Sequence, residues 1–506
     1  MLTTQFLGGL FFISIIHQLI TPKSKARDEK AINNKIKHPA KIIFTPATRS
    51  NSSNTNKVYE NPFEHVHDDE NNVQHMKNND GKNNGKTAGS KQGLFFSEPT
   101  ELVPDLNYYF QQYGLLIEPF KVTTEDGFVL DLWHIINPSI KQGNVSGNSS
   151  SSLTNEEKSD SKRKGKLPIL FIHGLLQSSG SFASSGTESI AYYLSKIGER
   201  DCWLGNNRCG FDPEWDTTKL KQYKKGNGST SVKWDWDIQE MCNYDLPCLV
   251  DFVLMKTGCF KLNLIGHSQG TMQSLLSLVN KTQLINKIDN FVALSPAIYP
   301  GELLYKKIPV ILMAFFIDFK LVYGIKSFIP LMLKMRNIMV GTKIFSNLSY
   351  IMFNYLFDWS DTLWNPKLRN RHFLFSPVAI SVKLMRWWLS PSNPSFRNGK
   401  FSKAFFPDDK IWFPTVEYHE HNATADISDN FHKHQLKNSG NEWPKILIFA
   451  PKQDRLVDGA RLINHFTTYE DPTVYKIWYI EDYSHLDVLW AKDVITKIAQ
   501  PILEHI

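Results

Sequence analysis

The stretch Leu262-Asn263-Leu264-Ile265-Gly266-His267-Ser268-Gln269-Gly270-Thr271-Met272-Gln273-Ser274-Leu275-Leu276 decides the fold. Leu262 to Ile265 has the mostly apolar character of a strand buried on both faces of a sheet. Thr271 to Asn280 contains neither Gly nor Pro and suits a helix. Between them Gly266 and Gly270 flank Ser268, so a strand must turn directly into a helix. A turn that tight needs small residues at its two flanking positions to avoid clashes. It also leaves the helix N-terminus behind the serine, where main-chain N–H groups face outward. A Gly-x-Ser-x-Gly pattern alone recurs by chance. The strand before it and the helix after it make this one specific.

Working outward, similar apolar runs occur at Leu167 to Ile172, ending at His173-Gly174, at Asn290 to Leu294, and at Lys445 to Ala450. Val474 to Ile480 is a β-type run, and Phe120 to Leu130 reads as a hairpin around Glu125-Asp126-Gly127. Helical stretches such as Gly186 to Gly198 lie between the strands. The alternation predicts a doubly wound, mostly parallel α/β sheet. Between Ala297 and Trp443 it breaks down into the apolar segments Ile308 to Phe316, Leu321 to Met335 and Ile351 to Phe357, and the pair Trp387-Trp388. An inserted, mainly helical cap over 298–443 is expected, covering the carboxyl edge of the sheet. Membrane spans are the rival reading, and Asp318, Lys320 and Lys326 interrupt the longest apolar run. Buried helices and a lipid-contacting lid both remain open for this segment.

The chain has 506 residues, 42% hydrophobic and 13% aromatic, with a net charge of +7. One α/β domain with insertions can use most of that length. No arginine-rich helix or nucleic-acid module accompanies the charge, so no nucleic-acid partner is expected. A mildly basic surface suits anionic lipid as well as simple solubility. The five cysteines, Cys202, Cys209, Cys242, Cys248 and Cys259, exclude a disulfide-built fold but not one isolated bridge.

Leu2 to Ile20 is apolar enough, and just long enough, to cross a bilayer as a helix. Residues 1–22 are read as an uncleaved single-pass anchor, with a cleaved signal peptide and an amphipathic segment as the alternatives. Lys23, Lys25 and Arg27 follow it and favour a cytosolic placement of what comes next. Sequons at Asn51, Asn144, Asn148, Asn227, Asn280, Asn347 and Asn422 matter only if the chain enters the secretory pathway. Residues 23–94 are polar and read as a disordered tether. Residues 139–166 read as a polar insertion within a folded region spanning 95–506.

A serine hydroxyl is a poor nucleophile and needs a base held by an acid. On a sheet of this kind the order is Ser, Asp, His. Asp454 follows the strand Lys445 to Ala450 and is the favoured acid, with Asp458 as the alternative. His485 falls in the loop after the last strand and is the candidate base, while Asp482 and Asp487 read as loop or cap groups. Leu175, after His173-Gly174, and Gln269 are placed to supply the two oxyanion-hole N–H groups. No metal-ligand constellation and no cofactor motif is present in the pattern. His65 and His67, or His432 and His434, lack a matching ligand set.

From about Leu106 onward the sequence resembles the acid lipase family of α/β-hydrolases, which includes gastric and lysosomal acid lipases and fungal steryl ester hydrolases. The carriers are Val122-Thr123-Thr124-Glu125-Asp126-Gly127, His173-Gly174-Leu175-Leu176, Trp203-Leu204-Gly205-Asn206-Asn207-Arg208, Tyr244-Asp245-Leu246-Pro247, Gly266-His267-Ser268-Gln269-Gly270-Thr271, and Tyr483-Ser484-His485-Leu486-Asp487-Val488-Leu489-Trp490. The resemblance implies hydrolysis of neutral lipid esters, steryl esters first and triacylglycerols as the alternative. Ser268, Asp454 and His485 fall at the triad positions. The apolar N-terminus and Asn-rich tether look more like the fungal branch, which implies a membrane or lipid-droplet surface as partner. Lipid droplet, endoplasmic reticulum and plasma membrane are the locations that follow. Cys209 stands where the family usually has Gly. A non-catalytic lipid-binding protein is the different-class alternative, disfavoured because all three triad positions are filled.

Overall fold

The computed structural model describes residues 98–139, 166–209, 213–219, 232–280, 282–390, 405–415 and 443–506, together with Gly9 and the backbone of 41–44. The anchor, most of the tether, nearly all of the insertion and parts of the cap lie outside the described residues. The unit described below comprises Met1–Pro46 and Thr100–Ile506, separate from Ala47–Pro99.

A twisted sheet organises this unit. Its strands are β1 (Lys41–Phe44), β2 (Leu116–Thr123), β3 (Phe128–Ile136), β4 (Ile169–Ile172), β5 (Cys202–Gly205), β6 (Glu214–Trp215), β7 (Leu262–His267), β8 (Ile288–Leu294), β9 (Lys445–Pro451) and β10 (Tyr475–Ile480). The spatial order is β1-β10-β9-β8-β7-β4-β5-β3-β2, with β6 beside β3. From β10 to β5 every pairing is parallel. The β2–β3 hairpin and β5–β3 are antiparallel. All residues of β4, β5 and β7 are buried, as expected for strands covered on both faces. Each fully buried Leu or Ile there contributes about 1.5–3 kcal/mol by leaving water.

Among the described residues the helices of seven or more residues are α1 (Leu106–Gln112), α2 (Leu246–Thr257), α3 (Gln269–Asn280), α4 (Ile308–Phe316), α5 (Pro330–Met339), α6 (Lys343–Phe357), α7 (Val382–Leu389) and α8 (Gly459–Tyr469). Local signals set their ends. Pro247 sits in the first turn of α2, and Gly258, at φ 68°, closes it in the left-handed conformation. Ser381 caps α7 by accepting from the Leu384 N–H at 2.9 Å.

The doubly wound α/β reading holds, and so does the helical insertion between β8 and β9. Among the described residues no helix is long and apolar enough to cross a membrane, and the described part of the cap consists of short helices. The segment Leu321 to Met335 is not one helix. A short helix, Lys320–Tyr323, stops at Gly324 (φ 72°), and α5 restarts at Pro330. The tether reading needs one correction. Lys41–Phe44 forms an edge strand antiparallel to β10, because Lys-Ile-Ile-Phe is a short β-favouring run inside an otherwise polar stretch. Strand β5 does not stand out in the sequence, because Cys202-Trp203-Leu204-Gly205 is a short run between the charged Glu199-Arg200-Asp201 and the polar Asn206-Asn207-Arg208.

Candidate active site

The site begins at the join of β7 and α3. Ser268 occupies the left-handed region at φ 52°, a conformation that costs a non-glycine residue about 1–3 kcal/mol. Its N–H donates to the Leu294 carbonyl at 3.0 Å, and its own carbonyl accepts from the Thr271 N–H at 2.9 Å. The flanking glycines are required by close approach. A Cβ on Gly270 would lie 2.4 Å from the Ile172 carbonyl oxygen, and one on Gly266 would lie 3.0 Å from the Gly270 backbone.

Loops from the carboxyl ends of β9 and β10 converge on this serine, which itself follows β7. His485 Nε2 is 2.8 Å from Ser268 Oγ, and His485 Nδ1 is 2.6 Å from Asp454 Oδ2. The second Asp454 oxygen accepts from the Leu456 and Val457 N–H groups at 2.9 and 3.1 Å, which fixes the carboxylate. The Lys452 N–H donates to the Ile480 carbonyl and the Gln453 N–H to the Tyr483 carbonyl, tying the two strand-end loops together. The His485 carbonyl accepts from Ser295 Oγ at 3.0 Å. This chain of hydrogen bonds can hold one imidazole tautomer, take a proton from the serine and return it. The side chains of His485 and Asp454 are buried.

The alternative acid is committed elsewhere. Asp458 caps α8 by accepting from the Arg461 N–H at 3.0 Å. Asp482 pairs with Lys497. Asp487 accepts from Ser484 N–H and Oγ and from Trp364 Nε1, bracing the loop that carries His485. Burial raises its carboxyl to about 6.

Leu175 and Gln269 both line the cavity beside Ser268 and His485. The Leu175 loop is held from below by His173. The Asn207 N–H donates to His173 Nε2 at 3.1 Å, and Nδ1 bonds the Gly174 carbonyl at 2.9 Å. Complete burial lowers this imidazole to about 4, so it stays neutral and keeps both roles. His267, in the elbow itself, bonds Gln177 and the His485 carbonyl and is held well below its ordinary pKa, mainly by burial and then by neighbouring His485.

Below the site, Arg208 is fully buried between Asp126 and Asp245, with contacts of 2.8 to 3.0 Å to both carboxylates. This cluster locks the β2–β3 turn, the loop after β5 and the start of α2 together. Cys209 next to it is buried, and all five cysteines are unpaired. Among the described residues no group of three His, Cys, Asp or Glu is arranged to hold a metal.

The cap supplies residues that the sequence reading did not assign. Trp359 stacks on the His485 ring at 5.7 Å between centroids and 7° between planes. Trp388 donates from Nε1 to the Gln269 side-chain oxygen at 2.9 Å. Only the Trp387-Trp388 pair stood out in the sequence, and its pattern does not say which ring faces the site. The cavity above Ser268 is about 250 Å³. Its wall is almost wholly apolar, with Met313, Met332, Met335, Met352 and Met385 among aromatic and leucine side chains. Methionine's flexible thioether adapts to irregular apolar ligands.

A strand–turn–helix serine at the carboxyl end of a central strand of a mostly parallel sheet, hydrogen-bonded through histidine to aspartate, defines an α/β-hydrolase. Residues 106–186 match the family described as partial alpha/beta-hydrolase lipase region, and residues 168–323 match the alpha/beta hydrolase fold. The chain is 44% identical to Sterol esterase 2 of Saccharomyces cerevisiae over 543 aligned residues, covering 99% of this chain and 96% of that one. It is 28% identical to human gastric triacylglycerol lipase over 440 residues, covering 83% and 95%, and 27% identical to the Rattus norvegicus gastric lipase over 429 residues, covering 81% and 94%. The chain therefore belongs to the acid lipase family of α/β-hydrolases, alongside a yeast sterol esterase, and is a carboxylic-ester hydrolase.

Proposed function

We propose that the protein hydrolyses steryl esters to sterol and fatty acid through Ser268, His485 and Asp454. The observation that carries this reading is the 2.8 and 2.6 Å hydrogen-bond chain at the floor of a Met-rich apolar cavity. Full-length likeness to a sterol esterase supports the sterol side. His485, oriented by Asp454, takes the Ser268 proton as Oγ attacks the ester carbonyl. The N–H groups of Leu175 and Gln269 stabilise the oxyanion, and the sterol leaves as His485 returns the proton. Water then cleaves the acyl-enzyme by the same path in reverse. Triacylglycerol is the second substrate class, favoured by the gastric lipase relatives.

The substrate dissolves in lipid, so the enzyme works at a lipid surface. Support comes from the cap, where Ile308, Phe315, Leu321, Ile338 and Ile344 are exposed, Leu321 and Ile338 to 84% and 83%. Exposed apolar side chains clustered on one insertion suit a membrane or droplet. The apolar segment at 1–22 would act as a single-pass tether to that surface. Side-by-side release of fatty acid from emulsified steryl oleate and triolein by the purified full chain tests the substrate. Turnover of triolein alone would overturn the sterol reading. Flotation of the chain with lipid droplets or microsomes, with and without residues 1–22, tests the tether.

A further inference from the structure

Gln269 is the first residue of α3, directly after strained Ser268, and its side chain has no part in the chemistry just described. Yet it is completely buried. A buried amide must be hydrogen-bonded or it costs stability. Its oxygen accepts from Trp388 Nε1 at 2.9 Å, and Trp388 belongs to α7 of the cap. Helix α7 is itself pinned to the body, since Ser381 Oγ donates to the Trp236 carbonyl at 2.6 Å. The other oxyanion loop shows the same dependence. The Val378 N–H donates to the Leu176 carbonyl at 3.1 Å, and Ser178 donates from both N–H and Oγ to the Phe375 carbonyl at 3.0 and 3.1 Å. Phe375 also presses so closely on Gly180 that a Cβ there would lie 2.3 Å from its ring. The Gln269 side chain and the loop that carries Leu175 are thus both bonded to one cap segment, 375–388.

We propose that this segment positions the oxyanion hole, with Trp388 as the positioning residue for Gln269. The inference rests on Ser268 being the nucleophile and on Leu175 and Gln269 being the donors. The Trp388 side chain lies on the cavity wall, so it links the substrate chamber to the group that stabilises the transition state. Fixing the Gln269 amide restricts rotation about the Ser268–Gln269 peptide, and so aims its N–H.

The test uses p-nitrophenyl butyrate, a small soluble ester, with the full chain. Trp388→Phe keeps an apolar ring in the wall and removes the donor. Expected is a fall in kcat of about tenfold or more, short of the ~10²–10³ for losing a whole oxyanion donor, with KM unchanged. The inhibition constant of a trifluoromethyl ketone, which forms a tetrahedral oxyanion on Ser268, should rise by the same factor. Gln269→Met removes the acceptor from the other side and should do likewise. The double variant should be no worse than either single one, because both break one contact. Trp387→Phe, on the same helix, should leave kcat unchanged. Wild-type kcat and inhibition in Trp388→Phe, or additive losses in the double variant, overturn the proposal. If Trp388→Phe fails to fold, Gln269→Met alone decides by the same two readouts. Turnover surviving in Ser268→Ala would instead overturn the underlying mechanism, so the two failures are distinguishable.

Discussion

Gly270→Ala probes the elbow most sharply. The added methyl would lie 2.4 Å from the Ile172 carbonyl oxygen, 2.9 Å from the His173 oxygen and 3.0 Å from the Ile172 carbonyl carbon. Carbon–oxygen contacts settle near ~3.3–3.6 Å, so the two backbones must part by roughly 1 Å. Neither neighbour is a flexible side-chain end. Ile172 is the last residue of β4, clamped in register between β5 and β7. The displacement therefore falls on the first turn of α3, which begins with Gln269 directly after Ser268. A shift of about 1 Å in a reacting group costs ~10²-fold in rate. The overpacking costs about 1–3 kcal/mol of stability. Assayed with p-nitrophenyl butyrate, kcat/KM should fall about 100-fold, and scanning fluorimetry should show a melting point lower by several degrees. Gly258→Ala is the control. It meets nothing within 4 Å and suffers only from its φ of 68°, so it should lose about 1 kcal/mol and keep full turnover. Wild-type rate and melting in Gly270→Ala would refute the claim that close backbone approach sets this turn.

Asp454→Asn should lower kcat by about 10⁴-fold by releasing the His485 tautomer, whereas Asp458→Ala should lose only a helix cap, about 1 kcal/mol, and keep its turnover; single-turnover assays and melts separate the two. Arg208→Leu leaves Asp126 and Asp245 buried without their cation, so a loss of about 3–5 kcal/mol is expected in denaturant titration. His173 has its folded pKa depressed from 6.5 to about 4. The unfolded chain therefore takes up a proton first as pH falls. This contribution is full above pH 6.5 and is lost progressively down to pH 4, reaching about 3 kcal/mol. Urea unfolding at pH 7 and pH 5 should show the loss in wild type and a smaller one in His173→Gln. An equal gap in both would contradict the assignment.

Much of this site lay open in the sequence because its signals are local. Ser268 is marked by a strand before it, a helix after it and two glycines whose absence of Cβ the turn requires. Asp454 was favoured over Asp458 that way but not fixed, since both follow β9 within a few residues. Three-dimensional placement separates them: one carboxylate reaches His485, and the other is used up as the cap of α8. The cap was legible as helical but not in its breaks, although Gly324 and Pro330 are the residues that make them. The partners of Trp359 and Trp388 were not legible, because His485 and Gln269 lie more than a hundred residues away along the chain. Periodicity reports which face of a helix is buried, not what it is buried against. Lys41–Phe44 shows the opposite limit, where composition averaged over a long polar stretch hid a four-residue strand.

The central claim is that Ser268 is the acylated nucleophile. Labelling the intact protein with a fluorophosphonate and locating the adduct by peptide mass spectrometry tests it most directly. The structure predicts one phosphonyl group per chain, on the peptide containing Ser268, with labelling and ester hydrolysis both lost in Ser268→Ala and both sharply slowed in His485→Ala. An adduct on another serine, or undiminished hydrolysis in Ser268→Ala, would contradict it.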